Sequence, residues 1–222
     1  MGVQMNSNSY TIAVDTKPFD DELKLYNRKN FTFLPGINSL VGCNGSGKST
    51  LIDCFLTAYL DEHNIEYYKH NDRRTGGHNY MDKLLFTGDM QGIAQMYMAS
   101  EGERIVCALD PVFGMLRSRF SKNRGKPYFL IFDAIDSGMS VDEIIEIRDT
   151  FLDLIIPDAE KEFGVTLYMI IAANNYEWCA DDRIHNIDIT NAKELKFTDY
   201  SEYKDFILNN RKHKNIQRGV KD

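Results

Sequence analysis

Residues 42–49 constrain this chain most, because their sequence, GCNGSGKS, satisfies the pattern G-x-x-x-x-G-K-S/T. The apolar segment before them, Ile37 to Val41, predicts a strand, and Lys48 to Leu60 has the apolar periodicity of an amphipathic helix. Glycines let backbone N–H groups turn toward phosphate oxygens, and the helix N-terminus adds partial positive charge. The segment therefore predicts nucleotide binding, with Lys48 at the β and γ phosphates and the Ser49 hydroxyl on Mg²⁺. The residues expected to hold the nucleotide are Asn44, Gly45, Ser46, Gly47, Lys48, Ser49 and Thr50.

A second apolar segment, Tyr128 to Phe132, ends at the carboxylate of Asp133. A continuous apolar run predicts a strand buried on both faces of a sheet, and in P-loop enzymes an acid at the end of such a strand holds Mg²⁺. Ala134 follows, at a position where a base would orient and deprotonate the attacking water. Because a general base contributes typically ~10²–10⁴-fold, a site with alanine there predicts good ATP binding and poor hydrolysis.

The rest of the chain alternates between strand patterns and helix patterns. Further strands are predicted at Ser9 to Val14, Phe31 to Phe33, Val165 to Ala172, Ile184 to Ile189 and Leu195 to Phe197. Helices are predicted from Ser100 to Phe120, from Ser140 to about Ile156 and from Asp199 to about Asn210, and the polar stretch from His63 to Asn79 predicts a loop. This order predicts an α/β fold with a mostly parallel central sheet and antiparallel edge strands. We expect one domain over residues 1–222, with its core at about 9–210 and a basic tail at 211–222.

Charge and composition exclude several classes of protein. With 26 basic and 33 acidic residues, the net charge is −7. This charge disfavours a protein that binds nucleic acid with its whole surface, so any contact with nucleic acid would involve a local basic patch such as the tail. The four cysteines lack metal-ligand spacing, so we expect neither a disulfide framework nor a zinc site. No apolar run approaches the roughly 20 residues that cross a bilayer. We therefore expect a cytoplasmic protein without direct membrane insertion.

Three motifs in order carry a family resemblance: residues 42–50, residues 99–104 and residues 132–140. Together they resemble the ABC-class P-loop ATPases, and within them the SMC, RecF and RecN-type heads. The first is similar to that class's phosphate-binding loop, S-x-G-E-R at 100–104 to its signature motif, and 133–140 to its Walker B strand and D-loop. Transporter subunits are similar but normally place more residues between the loop and the signature, for a helical coupling subdomain.

The resemblance implies ATP and Mg²⁺ as cofactors and a homodimer that forms head to tail with two ATP molecules between the heads. Ser100 and Gly102 would contact the γ-phosphate of ATP bound to the second subunit. Ser137 and Gly138 would lie at that dimer interface. Gln91, for which Gln95 is an alternative, would supply a glutamine near Mg²⁺.

Basic residues before the strand that leads to the loop often touch phosphate or ribose in the related heads, which implies such a contact for Arg28. Arg28 could equally be a solvated surface residue. Three aromatic residues, Tyr10, Tyr26 and Trp178, are expected to pack in the core rather than to form an adenine platform.

Two positions depart from the family's pattern. Ala134 stands where the family has its catalytic glutamate, and Asn174 stands where the family usually has histidine. Asparagine can donate a hydrogen bond to the γ-phosphate but cannot carry charge. Ala134 has two explanations, an engineered change that traps the ATP-bound state or a naturally slow or silent ATPase that uses ATP as a binding switch.

The leading hypothesis is a compact Mg-ATP-binding ABC-type ATPase that dimerises on ATP. It would act as a switch or motor subunit in a DNA-repair, DNA-handling or antiphage-defence complex, with a separate effector or arm-bearing protein as its partner. Two alternatives stay open. One is the nucleotide-binding subunit of a membrane transporter, and the other is a non-hydrolysing ATP sensor that controls a partner nuclease or toxin.

Overall fold

The fold is built on a mostly parallel sheet in the computed structural model, which describes residues 9–19, 24–71, 115–136 and 139–217. The strands are β1 (Tyr10–Ala13), β2 (Asn30–Phe33), β3 (Gly36–Val41), β4 (Tyr67–Asn71), β5 (Pro127–Asp133), β6 (Thr166–Ala172), β7 (His185–Asp188) and β8 (Glu194–Leu195). Six of them form the main sheet in the order β4-β5-β6-β3-β7-β8. All neighbours pair in parallel except β7 and β8, which makes β8 an antiparallel edge strand. This arrangement confirms the predicted α/β P-loop fold.

Strands and helices alternate from β3 to β6, and the last helix follows β8. Helix α1 consists of Lys48–Thr50, a π-helical turn Leu51–Leu56 and Thr57–Glu62; α2 covers 115–122; α3 consists of Val141–Thr150, a π-helical turn Phe151–Ile155 and Ile156–Phe163; and α4 is Tyr200–Gln217. The predicted capping box opens α3, because the Ser140 backbone N–H donates to the Glu143 carboxylate over 2.7 Å. Between 9 and 217, no helix in the described ranges is long and apolar enough to span a bilayer.

Two helices extend seven residues beyond their predicted ends. Helix α3 was expected to stop at about Ile156, before Pro157, but the structure continues it to Phe163 and ends it at Gly164, which has a φ of 65°. The π-helical turn before the proline accommodates its missing backbone donor. Helix α4 continues seven residues past the expected Asn210, to Gln217.

The interpretation of residues 63–79 as a loop is wrong for β4. Tyr67 and Tyr68 have high strand propensity, and the strand pairs in parallel with β5, with His70 opposite Phe132. The His70 side chain is buried, with its ring 6.0 Å from the ring of Phe132. The strand was missed because it lies at the edge of the sheet and contains polar residues, so its hydrophobicity pattern resembles that of a loop. Residues 72–79 lie outside the described part of the chain.

Two apolar layers enclose the sheet. One face packs against α3, with Phe132, Met169 and Phe151 in the same cluster. The other face packs against α1 and the separate antiparallel pair β1–β2, with Leu51 and Phe33 in the same cluster. Because β5, β6 and β3 are neighbours that run parallel, their carboxyl ends lie at one edge of the sheet. Ligands in open α/β sheets bind at this edge.

Candidate functional site

The loop at residues 42–47 connects β3 to α1 in a conformation that requires glycine. Gly45 has a φ of 72° and Gly47 a φ of 102°, in the left-handed region that residues with a Cβ rarely adopt. The Tyr26 hydroxyl donates to the Gly47 carbonyl over 2.8 Å, and its ring atoms lie 3.0 Å from the place where a Cβ on Gly47 would be. Tyr26 therefore packs under the loop and holds it in shape.

Lys48 is a buried cation whose bonded partners are neutral. Its Nζ donates to the Gly42 carbonyl over 2.7 Å and to the Asn174 Oδ1 over 3.0 Å, with 8% of the residue exposed. Burial lowers the pKa of Lys48, and the nearby carboxylates of Asp136 and Asp133 act in the opposite direction. A buried ammonium that is bonded to amide oxygens leaves positive charge available to an anion such as phosphate.

Ser49 and Asp133 form the oxygen pair expected for Mg²⁺. The Ser49 Oγ donates to the Asp133 Oδ1 over 3.0 Å, and Asp133 is 7% exposed at the end of β5. Within the described ranges, no group of three or more His, Cys, Asp or Glu side chains could hold a metal by itself. Mg²⁺ usually takes one or two protein oxygens and completes its shell with water and phosphate, so this pair fits it.

Asn174 is held on both sides of its backbone. Its N–H donates to the Asp136 Oδ2 over 2.7 Å, as does the N–H of Asn175 over 2.8 Å, and its carbonyl accepts from the Tyr203 hydroxyl over 2.9 Å. These bonds fix the residue while its side chain contacts Lys48. Sequence reasoning missed both Asp136 and Tyr203, because each acts through a partner at least 29 positions away in the chain.

A cavity of about 450 Å³ opens over these groups. The loop and the strand ends form most of its lining, and two apolar residues that precede β2, Phe19 and Leu25, complete it. The other lining residues are Asn44, Gly45, Gly47, Lys48, Ser49, Thr50, Asp133, Ala134, Ala172 and Asn174. Phe19 is 65% exposed, and its position on the wall offers an aromatic surface to a bound base. The sequence signal for it was a lone aromatic residue in a polar segment, which is weak.

The expected packing of three aromatic residues is confirmed. Tyr26 and Trp178 are fully buried. The ring of Tyr10 packs edge-on against the rings of Phe129 and Tyr168, with centroids 5.3 and 5.0 Å away. The exposed aromatic surface at the cavity therefore comes from Phe19 rather than from these residues.

Ala134 lines the cavity directly after Asp133. Its backbone N–H donates to the Ala172 carbonyl over 2.8 Å, and its φ of 60° lies in the left-handed region. The methyl group can neither accept nor donate a proton, so position 134 presents an inert surface to a bound nucleotide.

Among the predicted site residues that the structure describes, Ser46 and Arg28 do not line this cavity. Arg28 lines a separate surface depression with Lys29, Asn30 and residues 191–193, and it is not among the residues that line the cavity over the loop. The remaining predictions lie outside the described residues: Gln91, Gln95, Ser100, Gly102, Ser137 and Gly138.

Comparisons with known proteins agree with this geometry. A family model described as an AAA domain matches residues 21–218. The cytochrome c biogenesis ATP-binding export protein CcmA of Nitrosomonas europaea is 34% identical over 89 residues, which are 40% of this chain and 42% of that protein. The chain thus matches less than half the length of that relative. No solved structure gives a significant match. The family model spans most of the chain. In the structure, the phosphate-binding loop, Lys48 and Asp133 lie together at one edge of a parallel sheet. This chain therefore belongs to the AAA domain family as a P-loop ATPase of the ABC class.

Proposed function

We propose that this chain binds Mg-ATP in the cavity over residues 42–49 and uses it as a switch. The observation that carries the proposal is the buried Lys48 ammonium, which is bonded to the neutral oxygens of Gly42 and Asn174 beside a loop shaped by glycines. The loop amides and Lys48 bind the phosphates, and Asn174 stands beside Lys48, where its amide can donate to a terminal phosphate. Phe19 offers its ring to the adenine.

Ser49 and Asp133 are the residues that hold Mg²⁺ in this proposal, and Gln91 is expected to join them. Held by these residues, Mg²⁺ would supply charge neutralisation at the phosphates. Hydrolysis is slow, because the Ala134 methyl group cannot act as a base toward water. The chain then works chiefly through ATP binding, whether alanine at 134 is natural or engineered.

ATP binding joins two copies head to tail in this proposal, with Ser100 and Gly102 of one copy at the γ-phosphate held by the other. ABC ATPases commonly dimerise, and the signature-like sequence at 100–104 supports this mode. The whole chain acts as one ABC-type domain in the cytoplasm. Its partner is a separate effector or arm-bearing protein in a DNA-repair, DNA-handling or antiphage-defence complex, with any nucleic-acid contact confined to local basic patches.

A transporter subunit is the second candidate, and a specific observation favours it. The matched relative in Nitrosomonas europaea is named as an export protein, although the match covers 42% of that protein. A sensor that binds ATP without hydrolysis and restrains a nuclease or toxin is the third, and Ala134 suits it. Affinity purification from the native host separates the candidates, since integral membrane subunits in the complex would overturn the first.

Calorimetric titration with Mg-ATP tests the core of the proposal. We expect saturable binding to the wild-type chain and loss of binding in Lys48→Ala, whereas Lys204→Ala, which removes an exposed lysine from α4, keeps it. Sedimentation at saturating Mg-ATP then tests assembly. We expect a dimer for the wild type and a monomer for Lys48→Ala and Ser100→Arg. An unchanged wild-type monomer would refute the sandwich.

A further inference from the structure

Helix α4 runs along the phosphate-binding loop and is fixed there by an aromatic cluster. Tyr203 is 7% exposed and shares an apolar cluster with Val41 at the end of β3. Its ring lies 5.4 Å from the ring of Phe197 and 5.5 Å from the ring of Tyr176. The helix is therefore anchored beside the strand from which the loop emerges.

One face of α4 continues from this anchor to the loop itself. Positions 203, 207, 210 and 214 follow the spacing of a single helical face. Ile207 packs on the aromatic cluster. Asn210 and Lys214 come one and two turns later, and each reaches the backbone of the loop.

Asn210 bridges the loop to the turn after β7. Its Oδ1 accepts from the Cys43 N–H over 3.3 Å, and its Nδ2 donates to the Thr190 Oγ1 over 3.0 Å. The turn is itself rigid, because the Asp188 carboxylate accepts from the N–H groups of Thr190 and Asn191. Asn210 thus ties a loop amide to a fixed point on the sheet.

Lys214 holds the tip of the loop. Its Nζ donates to the Asn44 carbonyl and lies 2.6 Å from the place where a Cβ on Gly45 would be. The absence of a side chain at Gly45 therefore makes room for this ammonium as well as for the turn. A cation at the loop tip also adds positive charge next to the phosphate cradle.

The same helix holds the other side of the cavity. The Tyr203 hydroxyl donates to the Asn174 carbonyl over 2.9 Å, and the Asn174 side chain accepts from Lys48. Helix α4 therefore contacts the loop through Asn210 and Lys214. Through Tyr203 it contacts Asn174, the residue that accepts a hydrogen bond from Lys48.

We infer that α4 is a positioning element for nucleotide binding, in which Asn210 and Lys214 hold the loop in its phosphate-binding shape and Lys214 adds attraction for phosphate. The inference rests on the proposed function only in taking Mg-ATP as the ligand. It differs from a purely structural role, in which α4 merely covers apolar surface and its polar contacts with the loop have no effect on affinity.

Matched variants of the full chain test the inference by calorimetric titration with Mg-ATP, alongside the melting temperature without nucleotide. Asn210→Ala is paired with Asn209→Ala, and Lys214→Met with Lys212→Met, because Asn209 and Lys212 are exposed residues of the same helix. We expect Asn210→Ala and Lys214→Met each to weaken affinity on the order of fivefold, as for loss of one hydrogen bond. The paired controls keep wild-type affinity, and Lys214→Arg, which retains the cation, recovers most of the loss.

The outcomes separate this inference from the proposed function. If the wild type binds Mg-ATP and Lys48→Ala does not, while Asn210→Ala and Lys214→Met bind as well as their controls, the inference is overturned and the proposed function stands. A lower melting temperature with unchanged affinity also overturns it. If the wild type does not bind Mg-ATP, both fail. Should Asn210→Ala not fold, Lys214→Met alone decides, because it removes only a side-chain end at the surface.

Discussion

Replacing Ala134 by glutamate should convert a poor ATPase into an active one without disturbing the fold. Residue 134 already has a φ of 60°, and the cost of that conformation arises from the Cβ, which alanine has. A longer side chain therefore adds no backbone strain. It would enter a cavity of about 450 Å³ directly after Asp133.

The size of the gain follows from general-base catalysis. A positioned base contributes typically ~10²–10⁴-fold, which corresponds to about 2.7–5.4 kcal/mol of the activation barrier. Ala134→Gln is the matched control, because glutamine has nearly the same size and cannot accept the proton. Ala134→Gly tests the backbone reasoning separately. Relief of the ~1–2 kcal/mol left-handed cost exceeds the roughly 0.5–1 kcal/mol entropy cost of glycine, so we expect unchanged or slightly higher stability.

Steady-state phosphate release at saturating Mg-ATP is the assay. We expect Ala134→Glu to be at least a hundredfold faster than both the wild type and Ala134→Gln, in proportion to the lower end of the range for a base. Equal rates for the glutamate and glutamine variants would refute the assignment of position 134 and, with it, the explanation that alanine traps the ATP-bound state.

Four further predictions concern binding and pH. Mg-ATP at a hundred times its dissociation constant should raise the free energy of unfolding of the wild type by about 2.7 kcal/mol, as measured by chemical denaturation. The same concentration should leave the free energy of unfolding of Lys48→Met unchanged. Ser49→Ala should remove most of the dependence of ATP affinity on Mg²⁺ in titrations at varied metal concentration. Phe19→Ala should weaken ATP binding by the roughly 1–3 kcal/mol of a base stack and leave inorganic tripolyphosphate binding unchanged. Hydrogen bonds from Arg183 lower the pKa of Asp181 to about 2, so the stabilisation is complete above pH 4 and disappears as the pH falls toward 2. Acid titration of Asp181→Asn should therefore converge with the wild type at the lowest pH.

The sequence predicted the part of the site that depends on local geometry. The loop at 42–49 and the acid at the end of β5 can be recognised from a few adjacent residues, because local sequence alone determines a glycine turn or the end of a strand. Asp136 and Asn210 act through partners 38 and 167 positions away, so their roles appear only once the chain is folded.

The edge strand β4 was missed for another reason, since its polar residues resemble those of a loop. His70 is buried because β5 places Phe132 beside it. The hydrophobicity of residues 67–71 alone cannot predict the position of β5. Helix α4 was predicted but ended too early, because its last turns are polar and Lys214 is held there by contact with the loop.

The order of strands in the sheet has a consequence for synthesis of the chain. β3, which carries the phosphate-binding loop, pairs only with β6 and β7 in the described structure, and about 125 residues separate it from β6. A nascent chain on the ribosome therefore exposes both backbone edges of β3 until residues 166–188 have emerged. Since long-range parallel pairing is slow, the unfinished chain presents these unpaired edges to aggregation throughout this interval.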